Sequence, residues 1–151
     1  MEINVSPQRT AAIVALLLGF ACGGAALALP AVPNGAAALL AQGDQQWQLG
    51  QLDAAQKLFE TALANEPRSV DAHMKLAGLQ LSRQDFKGCI ETYQHVIGLD
   101  TNNARAWLGL GFSYLHTGKS SLSMAAFNEA IRIDPANKEK LQPVIAKLKM
   151  P

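Results

Sequence analysis

The same residue types recur in this chain every 34 residues. Three large aromatic side chains keep that interval: Phe59, Tyr93 and Phe127. Smaller side chains three positions further along keep it too: Ala62, Val96 and Ala130. A fixed period of this length is typical of an array of helical repeats. Because a two-helix unit is too small to bury a core alone, the period predicts an all-α fold in which neighbouring units stack.

The third copy of the repeat, residues 104–137, resembles the tetratricopeptide repeat (TPR) family in residue identity as well as in spacing. The residues that carry the resemblance are Trp107, Leu110, Gly111, Tyr114, Phe127, Ala130 and Pro135. The resemblance implies a TPR α-solenoid of three helix-turn-helix repeats, at residues 36–69, 70–103 and 104–137. TPR proteins are binding scaffolds, so it also implies that function lies in a surface and not in a reaction centre.

The second copy departs most from the repeat pattern. It differs at the large aromatic, the packing glycine, the turn glycine and the closing proline, where it carries His73, Ala77, Gln84 and Thr101. In the other two copies the packing glycines are Gly43 and Gly111, at the expected point of closest helix approach.

After the third repeat, residues 138–151 are predicted to form a capping helix that closes the exposed end of the array. Leu141, Val144 or Ile145, and Leu148 recur at helical spacing. Pro143 is then expected in the first turn, where a missing N–H costs least.

Residues 11–29 are apolar, carry no charge and end at prolines, and they are about as long as the ~20 residues that cross a bilayer as a helix. One interpretation is a retained membrane helix, with residues 1–10 as a tail and 30–35 as a spacer. The other is a secretory signal peptide cleaved after Ala28. Retention is favoured by a stripe of small residues suited to close helix packing: Ala15, Gly19 and Gly23.

The basic residues predict which side of the membrane the repeats occupy. Arg9 precedes the apolar segment, and no Lys or Arg follows until Lys57. Positive charge favours the cytoplasmic side, so the repeats are expected on the periplasmic or lumenal side of a single-pass protein. A cleaved chain would be periplasmic or secreted.

The sequence gives no case for catalysis, a cofactor or a small-molecule substrate, because no nucleophile, phosphate-loop or dinucleotide motif occurs. The formal net charge of +1 gives no electrostatic case for nucleic acid. His73, His95 and His116 occupy three different places in their repeats, so stacking is not expected to gather them as metal ligands.

In the TPR family the inner face of each first helix contacts the ligand. Carried onto this sequence, the predicted groove residues are Leu40, Asp44, Trp47, Asp71, Met74, Leu81, Arg105, Leu108, Phe112 and Leu115. Most are apolar, which suits an amphipathic helix or an extended apolar segment of a protein partner. The alternative is that the capping helix or the spacer covers part of this stripe.

Together these features predict a membrane-anchored scaffold for protein–protein interaction that assists assembly or stability of a larger membrane complex. Its layout resembles bacterial TPR proteins that serve photosystem assembly, cytochrome maturation, or pilus and secretion machinery. Two alternatives stay open: a permanent accessory subunit of a respiratory or photosynthetic complex, and a cleaved periplasmic binding protein.

Overall fold

The computed structural model describes residues 35–149, which form seven α-helices, one 3₁₀ turn and no strand. The first repeat contains α1 (Ala36–Gln48) and α2 (Leu52–Asn65), and the second contains α3 (Val70–Ser82) and α4 (Phe86–Leu99). The third contains α5 (Ala104–His116) and α6 (Ser120–Ile133). The 3₁₀ turn Pro135–Asn137 leads into α7 (Lys138–Leu148). The all-α prediction is confirmed for this part of the chain.

The first helix of each repeat begins where the 34-residue register places the repeat boundary. Two of these starts are capped by side chains: Ser69 Oγ accepts from the N–H of Ala72 at 3.4 Å, and Asn103 Oδ1 from that of Ala106 at 3.0 Å. Such caps satisfy N–H groups that have no partner within the helix. Each helix packs mainly on the next one along the chain, as expected of a solenoid.

Two glycines allow the helices of the first and third repeats to pack closely. A Cβ at Gly43 would lie 2.3 Å from the Phe59 ring, and one at Gly111 would lie 2.5 Å from the Phe127 ring. Both phenylalanines are completely buried. The absence of a side chain at these positions therefore makes room for the rings that fill each repeat.

The second repeat solves the same packing problem differently. Ala77 stands where the other copies have glycine, and it shares a buried cluster with Tyr93. The ring of Tyr93 lies instead against the next repeat, where a Cβ at Gly109 would approach its Cζ to 2.2 Å. The second repeat thus lacks the packing glycine, and its aromatic ring packs on Gly109 of the third repeat, a glycine that the other two copies lack.

The three turns between paired helices share one backbone conformation. Gly50 and Gly118 have φ of +74°, and Gln84, at the equivalent place in the second repeat, has φ of +59°. This left-handed region favours glycine because a Cβ crowds the neighbouring carbonyl.

Replacing Gln84 with Gly should therefore raise the free energy of unfolding by up to about 1 kcal/mol, since the relief of strain exceeds the added freedom of the unfolded chain. Chemical denaturation would measure the change. The control is Gly50→Ala, which should shift stability in the opposite direction. If the Gln84→Gly variant were less stable than the parent, the contacts of the Gln84 side chain would stabilise the fold by more than its positive φ destabilises it.

The capping helix is present, but the predicted place of Pro143 is wrong. Pro143 lies in the interior of α7, since the helix begins five residues earlier at Lys138. Leu141 and Ile145 are buried against Phe127 and Ala130 on either side of it. Their burial holds the helix in register although proline removes one backbone hydrogen bond.

Within residues 35–149 no helix has the length and apolar character needed to cross a bilayer, and the longest have 14 residues. The predicted membrane segment 11–29, with Ala15, Gly19 and Gly23, lies outside the described residues. Membrane insertion therefore stays a prediction from the sequence.

Candidate protein-binding groove

A cavity of about 600 Å³ lies between the first helices of the three repeats. Half of the predicted groove residues line this central cavity: Asp44, Trp47, Asp71, Met74 and Arg105. Trp47 reaches from α1 towards α3, where Gly78 leaves room for it, because a Cβ there would lie 2.8 Å from the indole. The structure therefore brings together residues from all three repeats.

The central cavity is lined by charged as well as apolar side chains. Lys75 Nζ donates to Asp44 Oδ2 at 2.7 Å and so links α3 to α1. Asp71 and Arg105 also line the cavity, are exposed, and have no ion pair within residues 35–149. Charged side chains, three of them among the predicted groove residues, therefore stand beside apolar ones in this cavity.

Tyr93 is a wall of the central cavity that the sequence did not single out. The residue is 5% exposed, and its hydroxyl makes no hydrogen bond to any described residue. Burial raises the pKa of the phenol to about 12, with a smaller contribution from Cys89, while Arg105 lowers it. The hydroxyl therefore stays protonated and available as a donor. The one signal in the sequence was a tyrosine where the other copies have phenylalanine.

A second cavity, of about 430 Å³, lies near the other end of the same helices. Leu81 and Phe112 line this Phe112 cavity together with Gln84, Phe86 and His116. Phe86 and His116 stack with ring centroids 4.4 Å apart. Phe112 is 36% exposed, although its ring edge contacts buried Phe127 at a centroid distance of 5.1 Å. Leu81, Phe86 and Phe112 thus give this end of the groove apolar surface beside the polar Gln84 and His116.

Three predicted groove residues line neither cavity. Leu40 is 6% exposed and belongs to the core of the first repeat, although it borders a smaller cavity of about 360 Å³. Leu108 is half-buried against the cluster that contains Leu141 and Ile145 of the capping helix. Leu115 is half-buried. Leu108 therefore packs on a cluster that joins the third repeat to the capping helix.

The histidines are only partly separated by the stacking. His73 and His95, which belong to the same repeat, have ring centroids 4.3 Å apart. His73 Nε2 also bonds the carbonyl oxygen of Pro67 at 3.0 Å, as Trp107 Nε1 bonds that of Thr101 at 3.0 Å. His73 thus repeats the role of the tryptophan that it replaces. No group of three or more metal-ligating side chains forms within residues 35–149.

The chain belongs to the tetratricopeptide repeat family, which matches residues 40–103 and 104–137. These two adjoining matches cover about two thirds of the chain and agree with the helix pairs described above. Residues 40–137 therefore form a TPR module, a kind of domain that generally binds other proteins and lacks catalytic activity.

Comparison with known proteins supports the fold without selecting a partner. The chain is 29% identical over 135 residues to the general transcriptional corepressor ssn6 of Schizosaccharomyces pombe, covering 84% of this chain but 12% of the relative. The crystal structure of MamA superimposes with a TM-score of 0.64 at 24% identity, covering 68% of this chain and 60% of that one. The Arabidopsis OM64 TPR domain gives 0.70 at 17% identity, covering 76% and 93%. Structural similarity at these identities shows the fold alone.

Proposed function

We propose that this chain is a membrane-anchored scaffold whose groove holds a protein partner and so assists assembly of a larger membrane complex. The proposal is carried by two features that follow one another along the sequence. The first is an uncharged apolar stretch at residues 11–29, and the second, after a short spacer, is a groove of three repeats. A tether so short keeps the repeats close to the surface that anchors it. In this proposal the repeats lie on the periplasmic or lumenal side, which is the side favoured by the position of Arg9 before the apolar segment.

The groove supports a partner that is apolar at one end and polar at the other. Phe112 and Leu81 offer exposed and half-exposed apolar surface at one end, and the central cavity offers charged groups at the other. Met74 and Leu81 are seven residues apart on α3, as are Arg105 and Phe112 on α5, so each pair lies along one side of its helix. A partner segment laid across α3 and α5 would therefore contact both ends.

Crosslinking of the tagged full chain in native membranes, followed by mass spectrometry, should capture a protein partner that is lost in the Phe112→Lys variant. The added charge would have to be buried in the contact. Leu122→Lys is the matched control, because Leu122 is a 49% exposed apolar residue on α6, outside both cavities. Asp71→Arg provides a second groove variant at an exposed position, and circular dichroism would show that all three variants keep their helices.

The same preparation separates the proposal from its two alternatives. A partner captured equally by the parent and by both groove variants would place recognition outside the groove. A chain whose mature amino terminus is Leu29 and which leaves the membrane fraction on washing would be the cleaved periplasmic protein. A chain present in the purified mature complex in fixed ratio would be a permanent subunit and not an assembly factor.

A further inference from the structure

The two histidines of the second repeat lie against each other, His73 on α3 and His95 on α4. Their ring centroids are 4.3 Å apart and the ring planes are tilted by 57°. His73 is partly buried and His95 is exposed, and neither lines the central cavity or the Phe112 cavity. The pair is therefore a feature of the surface that the proposed function does not use.

The hydrogen bond of His73 determines which of its ring nitrogens is free. His73 Nε2 lies 3.0 Å from the carbonyl oxygen of Pro67. Because a carbonyl oxygen only accepts, Nε2 carries the proton, and the neutral ring keeps its lone pair on Nδ1. At the equivalent position of the third repeat, Trp107 makes the same bond to Thr101 with its one ring nitrogen. Histidine in place of tryptophan therefore adds a nitrogen lone pair that this bond does not use.

A histidine held in this way has the arrangement of a metal ligand. Metal-binding imidazoles almost always donate their other N–H to a carbonyl or carboxylate oxygen, which fixes the tautomer and the orientation of the ring. Two imidazoles bound to one ion at about 2.0 Å have ring centres about 4.5 Å apart at a right angle, and about 5 Å apart at the tetrahedral angle. The observed separation of 4.3 Å is closer to the right angle, which is the geometry that Cu²⁺ and Ni²⁺ prefer.

From this arrangement we infer that His73 Nδ1 and one ring nitrogen of His95 form a binding site for Cu²⁺. Of the divalent first-row ions, Cu²⁺ binds most strongly to a given set of nitrogen ligands. Two protein ligands leave its other positions to water. The ion joins α3 to α4 and so stabilises the second repeat. The inference goes beyond the proposed function and does not depend on it, because neither the groove nor the apolar segment takes part.

Titration of Cu²⁺ into the full chain, purified in detergent without a histidine tag, tests the site. Calorimetry should show an ion bound to each chain, and electron paramagnetic resonance should show two nitrogen ligands on it. His95→Gln should weaken binding at least about ten-fold, because loss of a ligand costs no less than loss of an outer-shell partner. His116→Gln changes the chain's third histidine and is the matched control, which should leave binding unchanged.

His73→Trp separates metal binding from packing. It introduces the residue that the third repeat has at this position, keeps a donor for the carbonyl of Pro67, and removes the second ring nitrogen. Cu²⁺ at about a hundred times its Kd should raise the Tm of the parent by several degrees. The Tm of His73→Trp should not respond to the ion.

Three results would overturn the inference: full Cu²⁺ binding by His73→Trp, full binding by His95→Gln, or an equal loss of binding in His116→Gln. If His73→Trp fails to fold, His95→Gln still decides, since the exposed His95 can be replaced without disturbing the core. None of these results bears on capture of a partner through Phe112, so failure of the metal site and failure of the proposed function are distinguishable.

Discussion

Replacing Phe127 with Ala is expected to lower the free energy of unfolding by about 3–5 kcal/mol, a large part of the ~5–15 kcal/mol that stabilises a typical domain. The side chain is completely buried and packs on Gly111, on Phe112 and on the cluster that includes Leu141 of the capping helix. Its removal therefore leaves a void between the last repeat and the cap. Denaturant unfolding followed by circular dichroism would measure the loss.

Leu122→Ala is the control for this loss, because Leu122 is 49% exposed on the same helix. It should change stability by no more than about 0.5 kcal/mol. Hydrogen exchange adds a spatial test: amides of α7 should lose protection in Phe127→Ala before those of α1 and α2. Equal loss of protection along the whole array would mean that it unfolds as one unit.

Replacing Gly109 with Ala is the second substitution expected to have a large effect. The added Cβ would lie 2.2 Å from Cζ and 2.4 Å from Cε2 of the buried Tyr93 ring, so the ring would have to shift. Overpacking of this kind costs about 1–3 kcal/mol, whereas alanine in a helix gains about 0.5–1 kcal/mol over glycine. The clash should exceed the gain, so we expect a net loss of about 1–2 kcal/mol in chemical denaturation.

Gly98→Ala is the matched control, since Gly98 is also helical but a Cβ there meets nothing within 4 Å. That variant should be as stable as the parent or gain up to about 1 kcal/mol. Adding Tyr93→Leu to Gly109→Ala should cost less than the sum of the two single changes, because the smaller side chain leaves room for the methyl group. Additive effects would show that the ring is not what the new Cβ meets.

The repeat period predicted the helices well because every copy needs the same large and small side chains at the same positions in order to pack. The first helices begin at Ala36, Val70 and Ala104, where the register of Phe59, Tyr93 and Phe127 places them. Pro143 was misplaced because the cap lies outside the period, and its helix is fixed by burial of neighbouring residues.

The groove was harder to predict. A position in the family pattern indicates on which face of its helix a side chain lies, but not how much of that side chain is buried. Asp71, Met74 and Arg105 line the central cavity, whereas Leu108, on the same helix as Arg105, packs on the cluster of Phe127 and Leu141. Tyr93 was predicted as a packing residue of the repeat and not as a groove residue. It lies on the second helix of its repeat, at a position whose side chain normally fills the core. Only the contact of the Tyr93 ring with Gly109 shows that the ring lies against α5 and lines the cavity.

The ion pair between Lys75 and Asp44 has a counterpart in Arg83 with Asp53, and both join the first repeat to the second. No ion pair joins the second repeat to the third within residues 35–149; that junction relies on Tyr93 against Gly109 and on the Gln94–Tyr114 hydrogen bond. Surface pairs are worth about 0–1 kcal/mol and weaken with salt, whereas ring packing does not. Added salt should therefore weaken the polar contacts between the first two repeats, while the apolar packing at both junctions, including Trp47 against Gly78, should hold.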